Sequence, residues 1–152
     1  MNARFAATVA RAPEIFRQLE ASGPIDLKSI GRRKAPGLYA FFENGVCVHV
    51  GRTRDIAQRI RSHRAGSHLK ATFAFKRARG VLGRVATYTK LGSRAHLMSS
   101  DEVFAAEFRR QVALVAAMTV KFVEVEDPLE QHFAEAYCAL EWGLDLSEFS
   151  TH

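Results

Sequence analysis

Gly37-Leu38-Tyr39-Ala40-Phe41-Phe42-Glu43-Asn44-Gly45-Val46-Cys47-Val48-His49-Val50-Gly51 is the stretch that decides the fold of this 152-residue chain. Residues 37–42 and 46–50 are rich in β-branched and aromatic side chains, and Asn44-Gly45 between them is a turn signal. A two-residue Asn-Gly turn pairs Phe42 with Cys47 and puts Glu43 on the face of Tyr39, Phe41, Val46, Val48 and Val50. A three-residue loop with Gly45 in the left-handed conformation fits the alternation better. It aligns Leu38, Ala40 and Phe42 with Val46, Val48 and Val50 as one apolar face. Tyr39 is then expected directly across from His49 on the other face.

Outward from the hairpin, residues 3–21 read as an amphipathic helix with Phe5, Val9, Phe16 and Leu19 inward, kinked or restarted at Pro13. Ser22-Gly23-Pro24 stops it, and residues 25–36 form a basic connector. A helix is expected over 54–64, capped by Thr53, with Ile56 and Ile60 inward and Arg59 and His63 flanking them one turn apart. Residues 69–79 read as a helix or irregular basic segment with Phe73, Ala74 and Ala78 inward, and 80–96 as a glycine-spotted loop. The next helix spans 100–117 on the stripe Phe104, Phe108, Val112 and Val115. A strand over 118–125 precedes a last helix opened by Asp127-Pro128. Its expected apolar stripe is Leu129, Phe133, Tyr137 and Leu140. That stripe leaves Glu135 on another face with Gln131, Cys138 and Trp142, while Glu130 sits at a capping-box position.

The fold class expected is α/β: a small, mostly antiparallel central sheet, the hairpin plus one further strand, flanked by helices. One domain suffices for 152 residues, with 1–35 an N-terminal helix and connector and 36–152 the core. No apolar run approaches the ~20 residues needed to cross a bilayer, so no membrane partner is expected. The first ten residues lack an apolar stretch and cleavage site, which makes a cytoplasmic location the default. Cys47 and Cys138 fall in no metal-type spacing and read as reduced, isolated thiols.

Charge is unevenly spread. Residues 1–94 hold 19 Lys and Arg against 5 Asp and Glu, whereas residues 95–152 hold 3 against 11. Nine basic residues lie between Arg52 and Arg79, opposed only by Asp55. A polyanionic partner follows, and nucleic acid is the commonest one. Arg52, Arg54, Arg61, Arg64 and Lys70 are the candidates to contact it.

Gly37-Leu38-Tyr39 and His49-Val50-Gly51, followed by Arg52-Thr53-Arg54-Asp55-Ile56-Ala57-Gln58-Arg59-Ile60-Arg61-Ser62-His63, resemble the GIY-YIG nuclease superfamily. Glu135-Ala136-Tyr137, Glu141-Trp142-Gly143 and Phe149-Ser150-Thr151-His152 look like the end of a stand-alone bacterial branch, so the resemblance covers residues 36–152. It implies a divalent-metal-dependent endonuclease that hydrolyses a phosphodiester, with DNA favoured over RNA. Glu135 matches the glutamate that holds one Mg²⁺ or Mn²⁺. Tyr39 matches the first tripeptide's tyrosine and His49 replaces the second. A free phenol with a pKa near ~10 is a poor base at neutral pH, so a nearby cation must lower it. Arg59, held at the edge of the core, would stabilise the developing phosphorane charge. His63 and Ser147 would support the site, Ser147 standing where the family has an asparagine. The His49 and Ser147 departures define the alternative, a nucleic-acid-binding module that keeps the fold without cleavage.

Overall fold

Asn44 and Gly45 both take positive φ, 52° and 77°, so the hairpin closes in the two-residue turn whose twist matches that of its strands. The computed structural model describes residues 1–84 and 89–146. It contains a four-stranded antiparallel sheet of β1 (Ile25–Asp26), β2 (Gly37–Glu43), β3 (Val46–Thr53) and β4 (Thr119–Glu124), in the order β1-β4-β2-β3. Six helices accompany it: α1 (Ala3–Ala21), α2 (Ile56–Ala65), α3 (Thr72–Leu82), α4 (Arg94–Ser100), α5 (Glu102–Ala116) and α6 (Pro128–Glu141). This is the expected α/β class with one strand more, because Ile25-Asp26 of the connector pairs with Thr119-Val120. Among the described residues no helix is long and apolar enough to cross a membrane. The described residues group into two compact units, Met1–Arg59 with residues 118–146, and Ile60–Ala117.

The sheet belongs to the first unit. Next to the turn Glu43 opposes Val46 and Phe42 opposes Cys47; a bulge follows, after which Phe41 opposes His49 and Tyr39 opposes Gly51. The expected three-residue loop and its direct Tyr39–His49 pairing are therefore corrected. One extra residue on β3 does what the longer loop was invoked to do, because it returns the alternation to register. Leu38, Ala40, Cys47 and Val50 then share one face, packed with Ala12, Ile15 and Leu19 of α1 and Ala134, Cys138 and Ala139 of α6.

Both helices bury different faces from those their large residues suggested. In α1 the buried residues are Thr8, Ala12, Ile15 and Leu19, while Phe5 and Val9 are exposed, and the helix continues through Pro13. In α6 they are Gln131, Ala134, Cys138 and Ala139, with Leu129 and Leu140 exposed. Small side chains let a helix backbone approach its neighbours closely, and the gain in packed contact outweighs leaving two leucines in water. At the start of α6 the Asp127 carboxylate accepts from the backbone N–H of Leu129 at 2.7 Å and of Glu130 at 3.4 Å. Glu130 itself faces Arg11 Nε at 3.4 Å.

In the second unit α3 and α5 pack through Phe75, whose ring lies 5.1 Å from Phe104 and 6.0 Å from Phe108. Buried Gln111 links the helices: it accepts from Arg77 Nε at 2.8 Å and donates to Glu107 Oε1 at 2.7 Å. Gln111 takes the place expected for Val112 on the buried stripe of α5. Within the loop expected over 80–96, most of the described residues lie in helices. The third helix runs on to Leu82 before Gly83 ends it in the left-handed region, and Ser93 caps a further helix by accepting from His96 N–H at 3.2 Å.

Candidate active site

The third strand, β3, is one edge of the sheet and carries His49 and Arg52, while Tyr39 lies on the neighbouring β2 and Glu135 on α6. Along the strand, side chains alternate between faces. Tyr39, Phe41 and His49 fall on the face away from the α1–α6 core, and Arg52, opposite Leu38, falls on the core face.

Tyr39 and His49 are therefore diagonal rather than direct neighbours, and they still meet. The Tyr39 hydroxyl lies 3.5 Å from His49 Nε2, and the rings sit 5.7 Å apart beside Phe41. Tyr39 is 2% exposed and His49 8%. Gly51 explains where the phenol goes. A Cβ built there would stand 2.4 Å from the Tyr39 hydroxyl oxygen and 2.5 Å from its Cζ, so only glycine lets this ring cross the edge strand. Gly37 is constrained in the same way, since a Cβ on it would lie 1.9 Å from the Val123 carbonyl oxygen. Both tripeptide glycines thus mark close approaches.

On the other side of the strand, Arg52 Nε donates to Glu135 Oε2 at 3.0 Å. The Glu135 side chain is 18% exposed and that of Arg52 45%. Glu135 shares a face with Gln131 and Cys138, as expected, but that face is the buried side of α6, so Glu135 sits at the margin of the core. The two pairs, Tyr39–His49 and Arg52–Glu135, come from alternating positions of one edge strand with Gly51 between them. They do not form a single set of contacts.

Two threonine and aspartate bonds set the start of α2. Asp55 N–H donates to Thr53 Oγ1 at 3.1 Å, and Gln58 N–H donates to Asp55 Oδ1 at 3.1 Å, so Asp55 takes the capping role expected of Thr53. Ile56 N–H bonds the Ala35 carbonyl at 2.9 Å, and Ile56 and Ala57 line a cavity of about 190 Å³ with Phe122 and Glu124. This half of the helix lies on the Phe122 face of the sheet, the face of Tyr39. Arg59 is half-buried on it. Arg54 Nη1 reaches back to the Glu126 carbonyl at 2.9 Å.

His63 belongs to the second unit and is fully buried. There Arg61 and Arg64 are half-buried and Lys70 is exposed. Ser147 lies outside the described residues.

A divalent ion asks for oxygen ligands, and Mg²⁺ keeps several waters when it is held by one or two carboxylates and substrate phosphate. Among the described residues no group of three or more His, Cys, Asp or Glu side chains forms a cage. The Glu135 carboxylate, bonded to Arg52, could supply one such oxygen ligand.

Comparisons with protein-family models, with curated proteins and with solved structures find no significant match.

Proposed function

We propose that the protein is a divalent-metal-dependent endonuclease that hydrolyses phosphodiester bonds of nucleic acid, DNA before RNA, at the outer edge of the third strand. The observation that supports this reading is the passage of the Tyr39 phenol over Gly51, which sets a base candidate at the same edge that presents Arg52 and Glu135.

In this reading Glu135 would hold one hydrated Mg²⁺ or Mn²⁺, which would supply charge for the scissile phosphate and acidify a water. His49 Nε2, 3.5 Å from the Tyr39 hydroxyl, would in its accepting tautomer take up the phenol proton while the phenol oxygen takes one from the attacking water. The P–O bond to the leaving oxygen breaks, and that oxygen is protonated by solvent. Arg52 exchanges the carboxylate for a phosphate oxygen, a charge-assisted bond of the same kind. Arg59, held at a half-buried position, would face the developing negative charge.

A second reading, a nucleic-acid-binding module without cleavage, draws on the ion pair itself. The Arg52 guanidinium already satisfies the carboxylate oxygen that the metal needs. Incubation with supercoiled plasmid, branched DNA and RNA, with and without Mg²⁺, separates the two readings. Cleavage that needs Mg²⁺ and is lost in Glu135→Ala supports the endonuclease; binding with no cleavage of any substrate supports the module.

A further inference from the structure

Two guanidinium groups crowd a single aromatic ring in the unit Ile60–Ala117. Arg94 Cζ lies 4.8 Å from the centroid of Phe75, and Arg79 Cζ lies 5.5 Å from the same centroid. Phe75 and Arg79 stand one turn apart on α3, and Arg94 opens α4. The ring is buried against Phe104 and Phe108, so it offers both arginines a fixed platform. Attraction to a ring face is worth ~0.5–2 kcal/mol per cation, but it leaves the repulsion between the two charges uncompensated.

Asp101 is paired with Arg84 at 2.9 Å, and Glu107 with Arg110 at 2.9 Å. Neither Arg79 nor Arg94 has a carboxylate partner among the described residues, and Arg79 Nε is buried there without a hydrogen-bond partner. Arg94 uses one N–H on the His68 carbonyl at 3.3 Å. Burial first, and the charge of Arg94 second, pulls the Arg79 guanidinium below its ordinary pKa. A buried donor without a partner costs ~1–3 kcal/mol, so this guanidinium is not settled by the protein's own contacts.

We propose that Arg79 and Arg94, seated on Phe75, form a phosphate-binding site that anchors the backbone of a nucleic-acid strand. Two planar forks on one platform suit an oxyanion with several acceptor oxygens, which each guanidinium can grip along an edge. The unit around them holds 11 Lys and Arg against 3 Asp and Glu, a field that draws a polyanion. The site needs no catalysis. It rests on the nucleic-acid reading above only for the source of the phosphate.

The test uses the full chain and measures two things: anisotropy of labelled single-stranded and duplex DNA, and the rise in Tm with pyrophosphate. Wild type is compared with Arg79→Gln/Arg94→Gln, with Arg94→Lys, and with Lys90→Gln/Arg109→Gln, two exposed positions in the same unit. Loss of two charge-assisted contacts should weaken DNA binding about tenfold or more, while the charge-matched control loses about twofold. Arg94→Lys keeps the charge and loses the fork, so it should fall between them and guards against a folding defect in the double variant. Equal losses in site and control variants would overturn the proposal, because general charge then explains binding. So would poly-glutamate binding that drops in the site variants as much as DNA binding does. If wild type binds no DNA, yet pyrophosphate raises its Tm and leaves that of the site variant unchanged, the anion site stands and the nucleic-acid reading falls.

Discussion

Replacing Gly51 by alanine tests the geometry of the edge strand by the sign of one number. In an unobstructed strand the change should stabilise by ~0.4–1 kcal/mol, because alanine has less backbone freedom to lose on folding. Here the new methyl would stand 2.4 Å from the Tyr39 hydroxyl oxygen, 2.5 Å from Cζ and 2.9 Å from Cε1, whereas carbon atoms rest about 3.5–4.0 Å apart. The phenol has no open direction in which to swing: it is 2% exposed, with Phe41 and His49 rings 5.3 and 5.7 Å away. Overpacking costs ~1–3 kcal/mol, and a contact this short against a buried ring belongs in the upper part of that range, which leaves a net loss of about 1–2 kcal/mol after the backbone gain. A chain of this size loses about 2–4 °C of Tm per kcal/mol, so Gly51→Ala should melt roughly 2–8 °C below wild type. Urea titration should show the same loss with an unchanged m-value. Gly23→Ala, where an added Cβ meets nothing within 4 Å, is the control and should not lower Tm. A Gly51→Ala protein as stable as wild type, or more so, would refute the placement of Tyr39 over the strand.

Gln131→Leu removes the donor that holds the Val125 carbonyl at 2.6 Å in the core; the orphaned oxygen should cost ~1–3 kcal/mol, read by urea denaturation. Burial, foremost, pushes the Cys47 and Cys138 thiols from their ordinary 9.0 up to about 12, so both should resist a disulfide reagent at pH 8 until the chain is denatured. Because the folded state keeps those protons while the unfolded chain releases them, stability should be level below about pH 9 and fall steadily from there toward about pH 12. Pairing of Glu135 with the exposed Arg52 should give a coupling of only ~0.2–1 kcal/mol in a double-mutant cycle on stability, decreasing with salt.

Strand positions, the antiparallel sheet and the inward residues Ile56, Ile60, Phe73, Ala74, Ala78, Phe104, Phe108 and Val115 were legible because strong alternation or helical spacing marks them. Register was not. A bulge leaves no compositional trace, and the valines of β3 fit either loop length until the φ angles of Asn44 and Gly45 choose the shorter one. The helices flanking the sheet misled for a different reason. Hydrophobic size pointed to Leu129 and Leu140, whereas closeness of packing selected Ala134, Cys138 and Ala139. That reversal turned the face Glu135 shares with Gln131 and Cys138 toward the core, within reach of Arg52. In the other unit, buried Gln111 and the arginines on Phe75 were missed because no periodicity separates a polar residue that bridges helices from one that faces water. Phe75 and Arg79, four apart on one helix, were the available signal.

The most direct test of the central claim is the single-turnover rate of Mg²⁺-dependent cleavage at saturating protein, for wild type, Glu135→Ala and Tyr39→Phe, with affinity measured alongside. The endonuclease reading predicts a loss of about 10²-fold or more in each variant, the scale of removing one strong electrostatic or proton-transfer group, with nucleic-acid affinity kept. Wild-type rates in both variants, or a wild-type protein that binds but cuts no substrate, would contradict it.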